Sequence, residues 1–316
     1  MPRHQNGVAL YKGDNMQRTD WFYEAGFGMF CHWTTATLPE NGEKKDYHQA
    51  VEDFDLDTFV SQVVSSGAKF LFFTISHSQM HLPFPLPELD EIVEGHTSKR
   101  DLMNELYEAL EPHGIKLMFY FNGDGCTDKP WQEATKTYTD RPVHAEYCYH
   151  IAEAISKKYG NKIHGWWIDC CYVAGLCHEY GLSYDFNRFA NALRAGNPNS
   201  IVAFNFKGIE EWDCDWGRGI SDYQAGEDNY ITRYPNGRFS GEGDLQWFCL
   251  CWMDDFWVHE KEGEPKPRYS NEEVLDYINK VRAGGGVFAY NVAPYQEGHI
   301  APKTAEQLKW LGDKLS

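Results

Sequence analysis

Short apolar runs alternate with helix-like segments along this chain of 316 residues, and this alternation restricts the fold more than any other feature. Buried parallel strands are near-continuous apolar runs, and the helices between them return the chain to the same edge of the sheet. Strands are predicted at 26–33, 69–75, 115–121, 164–169, 201–206, near 219–223, 245–253 and 286–292. Helices are predicted at 55–66, 99–112, 142–159, 184–195, 271–283 and 303–315.

This order predicts an α/β fold, a single (β/α)8 TIM-like barrel over residues 1–316. With the last helix predicted at 303–315, no appended β-sandwich is expected. A doubly wound open sheet is the alternative, and it is disfavoured because no Gly-x-Gly-x-x-Gly follows the first strand. Two helix starts carry capping patterns, the run SKRD at 98–101 and a capping box between Ser270 and Glu273.

The acidic composition excludes several classes of partner. With 29 Lys and Arg against 47 Asp and Glu, the net charge is −18, so nucleic acids and anionic membranes would be repelled. No run approaches the roughly 18 apolar residues that a membrane span needs. The nine cysteines are an odd number, and the start lacks an apolar signal segment. Both observations predict free thiols and a cytoplasmic location.

No cofactor or metal is predicted. Cys170, Cys171 and Cys177 could imitate a metal cluster, but no second Cys-x-x-Cys pair completes it. His77 and His81 are four residues apart, as metal-binding histidines on a helix often are. They follow a strand rather than a helix, so this spacing does not place them on a common face.

Polar or aromatic side chains stand at the ends of the predicted strands. The carboxyl ends of parallel strands meet at one face of a barrel, so these side chains are expected to form one polar pocket. An aspartate there, beside tryptophans that can stack on a sugar ring, predicts a glycosidase carboxylate. The strand-end groups are His32, Trp33, His77, Tyr120, Asn122, Asp169, Asn205, Asp222, Trp252, Asp254 and Asn291.

Several motifs, in order from about residue 20 to 315, resemble the catalytic domain of glycoside hydrolase family 29, the α-L-fucosidases. They are WF at 21–22, GFGMFCHW at 26–33, GAKF at 67–70, RDL at 100–102, WID at 167–169, SDYQAGE at 221–227, GGG at 284–286 and NVAP at 291–294.

The resemblance implies retaining hydrolysis of a terminal α-L-fucoside on an oligosaccharide or glycoconjugate. It implies Asp169 as the nucleophile and Glu227 as the acid/base. Retention needs the two carboxyls only about 5–5.5 Å apart. The family's acid/base lies in a poorly patterned loop, so Asp228, Glu242 and Asp254 remain alternatives to Glu227. The implied sugar-binding residues are His32, Trp33, His77, Ser78, Gln79, Tyr120 and Arg218.

One motif departs from the family pattern. Where fucosidases have Lys-His-His-Asp-Gly-Phe, residues 76–81 read SHSQMH, so Ser78 and Gln79 replace a histidine and an aspartate. Asp46 and Tyr47 likewise stand where a Glu-Trp pair is common. A hydroxyl and an amide have a different reach and carry no charge, so altered sugar recognition is expected.

Two other classes of function remain open. The first is a non-catalytic carbohydrate-binding protein on the same barrel, because the sugar-reading motif has changed. The second is a hydride-transfer or aldolase-type barrel, which would need a cofactor motif or a strand-end lysine; Lys69 begins a strand instead. Assembly into a homo-oligomer is left open.

Overall fold

The computed structural model describes residues 18–171, 184–205, 220–240, 245–254 and 256–315. Eight strands form one sheet in the order β5-β4-β3-β2-β1-β8-β7-β6, and every pairing is parallel. The α/β architecture with a single parallel sheet is therefore confirmed. The strands are β1 Phe27–Cys31, β2 Phe70–Thr74, β3 Lys116–Phe121, β4 Gly165–Ile168, β5 Ile201–Phe204, β6 Glu227–Asp228, β7 Phe248–Trp252 and β8 Val287–Val292.

Within these described residues all six predicted helices are present, together with four short helices that the periodicity did not reveal. Four to seven residues are too few to show a 3.6-residue pattern. None of the helices in the described part of the chain is both long and apolar enough to cross a bilayer. The helices are Asp20–Ala25, Tyr47–Glu52, Leu56–Ser65, Pro87–Asp90, Leu102–Leu110, Lys129–Thr135, Arg141–Tyr159, Phe186–Leu193, Asn271–Ala283 and Pro302–Leu315.

The two predicted helix starts have different outcomes. The capping box is confirmed, because the Ser270 hydroxyl accepts from the Glu273 N–H and the Glu273 carboxylate accepts from the Ser270 N–H. The start predicted within 98–101 is displaced to its last residue. Asp101 caps helix Leu102–Leu110 by accepting from the Asn104 N–H, whereas the Ser98 hydroxyl donates to the carbonyl of Leu82.

Side chains alternate between the two faces of the sheet with the two-residue period of a strand. Along β1 to β4, one set packs inside the curled sheet: Phe30, Phe70, Phe72, Met118, Tyr120 and Trp167. The other set packs against the helices: Met29, Cys31, Leu71, Phe73, Phe119 and Trp166. This alternation decides which strand-end residues face the interior.

Two aromatic rings fill the end of the sheet where the strands begin. Gly28 occupies an inward position at which a Cβ atom would lie 2.3 Å from the Phe70 ring, so only glycine leaves room for that ring. Phe22, from the first helix, packs 4.8 Å from the Phe70 ring and 5.5 Å from the Phe248 ring, measured between centroids. The polar pocket must therefore lie at the opposite, carboxyl ends of the strands.

The predicted position of the sixth strand is wrong, because β6 is Glu227–Asp228 rather than a segment near 219–223. Tyr223 forms only an isolated parallel bridge with Gln246. Asp222 instead connects the segment to β5: its N–H donates to the carbonyl of Val202 at 2.8 Å, and its carboxylate accepts from the Val202 N–H at 2.8 Å. One backbone bond and one side-chain bond of Asp222 thus stand where a strand ladder was predicted.

Candidate active site

The strand period turns several of the predicted site residues into the interior of the curled sheet. Tyr120 is an inward residue of β3. Asp169 continues the inward positions of β4, two residues after Trp167, and Asn205 continues those of β5 after Ala203. His32 follows Phe30 in the same way. Since all of these strands are parallel, the four side chains meet at one mouth.

Asp169 accepts two hydrogen bonds at this mouth. The Tyr120 hydroxyl donates to Oδ2 of Asp169 at 2.6 Å, and Nδ2 of Asn205 donates to Oδ1 at 3.0 Å. The backbone turns sharply immediately afterwards, since Cys170 has a φ of 58°, a left-handed conformation that is uncommon outside glycine. Both carboxylate oxygens therefore have a donor, one within β3 and one directly after β5.

Glu227 lies beside Asp169 and shares a donor with it. Nδ2 of Asn205 also donates to Oε2 of Glu227, at 2.7 Å. The two acceptor oxygens each lie within 3.0 Å of one nitrogen, which places them less than about 6 Å apart. Burial, followed by the charge of Asp169, raises the pKa of Glu227 to about 7, while the bond from Asn205 opposes this rise. Glu227 therefore retains a proton in a substantial fraction of molecules near neutral pH.

Two neutral histidines form another wall of the mouth. Nδ1 of His32 lies 2.6 Å from Oδ1 of Asn291, whose Nδ2 donates to the carbonyl of Trp257. Oδ1 of Asn291 must therefore accept, which places the ring proton of His32 on Nδ1 and leaves Nε2 as an acceptor. Burial, with a smaller effect of His77, lowers the pKa of His32 to about 3.

His77 completes this wall beside Tyr120. Its ring stacks on that of Tyr120, with centroids 5.7 Å apart and planes 21° apart, and its Nδ1 lies 2.8 Å from the Ser78 hydroxyl. Burial lowers the pKa of His77, and the charge of Asp169 opposes that change. Ser78 and Gln79 are half-buried, and the Gln79 carbonyl accepts from the His77 N–H at 3.3 Å. The altered motif thus positions His77.

Aromatic rings surround the polar groups. Trp167 stacks on Tyr120 with centroids 5.3 Å apart, and its indole N–H donates to the carbonyl of Ala225. Trp257 is half-buried, with its centroid 5.5 Å from that of His32. Trp257 was missed by the sequence analysis, because it follows β7 without a motif that would distinguish it from other exposed aromatics. Its half-exposed ring next to His32 is suited to contact the apolar face of a sugar.

Trp33 lies in the core instead of lining the mouth. It is 1% exposed, packs against Tyr47 and Phe54 with centroids 5.3 and 5.2 Å away, and donates its indole N–H to the carbonyl of Tyr295. The physical reason is the strand period, because Trp33 continues the outward positions Met29 and Cys31. The predicted sugar contact of Trp33 therefore gains no support from its position.

The alternative acid/base residues are held by other partners. Asp228 accepts from the backbone N–H groups of Asn229 and Tyr230 and pairs with Arg233 at 2.9 Å. Asp254 accepts from the hydroxyl of Thr304.

The remaining predicted residues lie either outside the described residues or in structural positions. Glu242 and Arg218 lie outside the described residues. Asp46 caps helix Tyr47–Glu52 by accepting from the His48 N–H. Tyr47 is largely buried against Trp33. The pair that replaces Glu-Trp therefore has structural contacts in this chain.

Comparison with known proteins identifies relatives along the whole chain. A family model described as "Alpha-L-fucosidase" matches residues 49–316. A putative alpha-L-fucosidase of Caenorhabditis elegans is 21% identical over an alignment 339 positions long, gaps included, which covers 95% of this chain and 65% of that protein. The tissue alpha-L-fucosidase of Macaca fascicularis is 20% identical, with coverage of 96% and 68%. The chain thus spans about two thirds of the length of these relatives.

Solved structures show the same fold at low sequence identity. An alpha-L-fucosidase from Lactobacillus casei, in complex with alpha-L-fucose product, matches with a TM-score of 0.69 and 16% identity, covering 94% of this chain and 98% of that chain. An endo-fucoidan hydrolase from glycoside hydrolase family 107 matches with a TM-score of 0.70 and 12% identity, covering 92% of each chain.

Proposed function

The chain belongs to the alpha-L-fucosidase family, and we propose that it is a retaining exo-glycosidase that hydrolyses terminal α-L-fucosides or a closely related sugar. The observation that carries this proposal is the shared donor Asn205, which holds oxygens of Asp169 and Glu227 less than about 6 Å apart. Retaining enzymes need about 5–5.5 Å between their carboxyls, whereas inverting enzymes need roughly 6.5–9.5 Å to admit a water molecule.

The two carboxyl groups would act in sequence. Asp169 attacks the anomeric carbon and forms a glycosyl ester, while Glu227 donates its proton to the leaving oxygen. Glu227 then removes a proton from water, which attacks the same carbon and releases Asp169. A pKa of about 7 suits this double role, because the group can both donate and accept near neutral pH. Tyr120 and Asn205 orient Asp169 for the attack.

The neutral groups of the mouth would read the sugar hydroxyls. His32 offers Nε2 as an acceptor, and Trp257 offers a ring face beside it. Ser78 and Gln79 provide neutral contacts where the family has a charged pair, so we expect plain L-fucose to bind more weakly than in members with the full motif. We also propose that the sheet closes as a complete barrel, supported by the bonds between Asp222 and β5.

A second candidate is a carbohydrate-binding protein without catalysis. The replacement of a histidine and an aspartate by Ser78 and Gln79 favours it. Both candidates predict sugar binding, but only the first predicts turnover that depends on Asp169.

The test is hydrolysis of a panel of p-nitrophenyl glycosides by the wild type, Asp169→Asn and Glu227→Ala. Loss of a nucleophile in a hydrolase typically lowers kcat by about 10⁴-fold or more, and we expect a loss of that order in Asp169→Asn. Azide should restore turnover in Glu227→Ala and give an α-configured glycosyl azide, because it attacks the β-linked ester on Asp169 with a second inversion.

The matched control is Asp254→Asn, a buried carboxylate bound to Thr304. It should leave the kcat of hydrolysis nearly unchanged. Activity of Asp169→Asn close to the wild type would overturn the proposed mechanism. Sugar binding without turnover in the wild type would favour the binding protein.

A further inference from the structure

A cluster of two histidines and one aspartate lies in the loops beside the candidate active site. His81 and His96 belong to the segment after β2, and Asp128 belongs to the segment after β3. One ligand atom from each residue lies within 4.8 Å of the other two. His96 and Asp128 are buried, 7% and 2% exposed, and His81 is half-buried. We propose that these three side chains bind a divalent transition-metal ion, for which zinc(II) has the best-matching ligand preferences.

Part of the cluster already has the spacing of a metal site. Zinc bonds to nitrogen and oxygen of about 2.0–2.2 Å in a tetrahedral arrangement place the ligand atoms roughly 3.4 Å apart. Nε2 of His96 lies 3.3 Å from Oδ1 and 3.2 Å from Oδ2 of Asp128. The rings of His81 and His96 stack with centroids 4.4 Å apart and planes 12° apart. Small side-chain rotations would close the remaining separation.

The other polar atoms of two ligands are held by backbone groups. Nδ1 of His96 faces the carbonyl of Glu94 at 3.3 Å, which directs Nε2 toward the cluster. Asp128 accepts from the N–H of Trp131 at 3.1 Å and from the N–H of Met80 at 2.9 Å. Metal-bound histidines and carboxylates usually have such partners, which fix the orientation of the ligand.

The third ligand is supported by a chain of hydrogen bonds. Nδ1 of His81 lies 3.0 Å from Nε2 of His48, and Nδ1 of His48 lies 2.8 Å from the Ser98 hydroxyl, which donates to the carbonyl of Leu82. With a proton on each Nδ1, every donor in this chain has an acceptor, and Nε2 of His81 presents a lone pair to an ion. Nε2 of His48 also lies 3.0 Å from the carbonyl of Gly95, so it can donate there when His81 binds no ion.

The ligand chemistry selects the class of ion. Two imidazoles and one carboxylate suit zinc and neighbouring transition metals, whereas calcium and magnesium prefer sites made of oxygen atoms. Three protein ligands leave a fourth position for water. The sequence spacing of His77 and His81 did not reveal this site, because His81 meets its partners only when the two loops fold together.

The proposed ion would stabilise the altered sugar-reading motif without touching the reacting atoms. Asp128 binds the backbone of Met80, and the neighbouring Thr127 donates its N–H to the carbonyl of Ser78 at 2.8 Å. Metal binding would therefore hold 77–80 in place beside the mouth. This inference does not depend on the proposed hydrolysis, because metal binding can be measured without a substrate.

The test uses the whole chain without a histidine tag, stripped with a chelator and titrated with zinc(II) or cobalt(II). We expect one equivalent of zinc to bind with a Kd below 10 µM and to raise the Tm. We also expect cobalt to give the visible absorption of a low-symmetry site. The double variant His81→Phe/His96→Phe should lose at least 100-fold in affinity, and its phenylalanine rings keep the stack and help to preserve the fold.

The matched control is the double variant His113→Ala/His150→Ala, which removes two exposed histidines outside the cluster. It should bind zinc like the wild type. Weaker wild-type binding than 100 µM would overturn the proposal, as would equal affinity in the wild type and the phenylalanine variant. If that variant does not fold, the single variant His81→Gln replaces it in the titration. A large loss of zinc affinity in His81→Gln would support the proposal, and an affinity equal to that of the wild type would overturn it.

Discussion

The Tyr120 hydroxyl donates to Oδ2 of Asp169 across 2.6 Å, which connects the inner face of β3 to the carboxylate at the end of β4. Tyr120→Phe keeps the ring and removes this bond. A hydrogen bond to a charged group contributes about 1.5–3 kcal/mol, so we expect kcat/KM for a nitrophenyl fucoside to fall by about 10–100-fold. Tyr223→Phe is the control, since it removes a buried hydroxyl bonded to the carbonyl of Trp166. It should reduce stability and leave kcat/KM unchanged. Equal kcat/KM in Tyr120→Phe and the wild type would show that Tyr120 does not orient Asp169.

The raised pKa of Glu227 predicts the pH dependence of activity. In the proposed mechanism, Glu227 must hold a proton to assist the leaving group, and its pKa is raised to about 7. As the pH rises through 7 the proton is lost, so kcat/KM for an unactivated disaccharide should fall by about tenfold for each further pH unit. The measurement is a pH profile from 5 to 9. Glu227→Gln should show low activity without this basic limb, and a limb that persists in that variant would assign it to another group.

Asn205 is expected to affect both carboxyl groups, through the pKa of Glu227 and through the orientation of Asp169. Its bond to Glu227 favours the ionised form, so Asn205→Ala should move the basic limb of the pH profile to a higher pH. The same change removes a donor from Asp169, and we expect kcat/KM to fall by about 10–100-fold. Asn197→Ala is the control, because that amide donates to the carbonyl of Ile163. A limb at the same pH in Asn205→Ala would contradict the shared-donor arrangement.

The altered motif predicts weak recognition of plain L-fucose. In family members with the full motif, the histidine and the aspartate are each expected to make a charge-assisted contact to the sugar. Such a contact is worth about 1.5–3 kcal/mol in a buried site. Inhibition by fucose or deoxyfuconojirimycin should therefore be weaker than in family members with the full motif. If a different substituent meets Ser78 and Gln79, the double change Ser78→His/Gln79→Asp should be neutral or harmful. A gain in fucosidase activity would show instead that these two residues limit fucose recognition.

Gly28 and Phe70 should be energetically coupled. A Cβ atom at Gly28 would lie 2.3 Å from the Phe70 ring, and forcing extra volume into a packed core costs about 1–3 kcal/mol. Gly28→Ala should lower the free energy of unfolding by an amount in that range, measured by urea denaturation. In a protein that already carries Phe70→Leu, the change Gly28→Ala should lower the free energy of unfolding by less than it does in the wild type. Additive effects of the two changes would mean that the ring moves away without strain.

Most of the strands and the inward-facing site residues could be predicted from the sequence, because both follow from patterns among neighbouring residues. Each buried strand is a continuous apolar run, and its two-residue period places Asp169 and Tyr120 inside. The same period places Trp33 on the outward face of β1, so it would have excluded Trp33 from the predicted sugar-binding residues. The position of β6 could not be predicted, because Asp222 is joined to β5 by one backbone bond and one side-chain bond where a strand ladder was expected. The shared donor Asn205 and the cluster around His96 depend on distant segments meeting, which no local pattern encodes.

The described ladder is interrupted between β5 and β6, and the two carboxyl groups lie on either side of that interruption. Elsewhere in the sheet, backbone hydrogen bonds fix the register of neighbouring strands. Across the interruption, the described contacts include the side-chain bonds of Asn205 and Asp222 and one backbone bond from the Asp222 N–H to the carbonyl of Val202. Protein engineers could therefore lengthen or shorten the gap between the carboxyls by exchanging one amide, without redesigning the scaffold. Such a library would explore whether a single polar spacer selects the stereochemical course of the reaction.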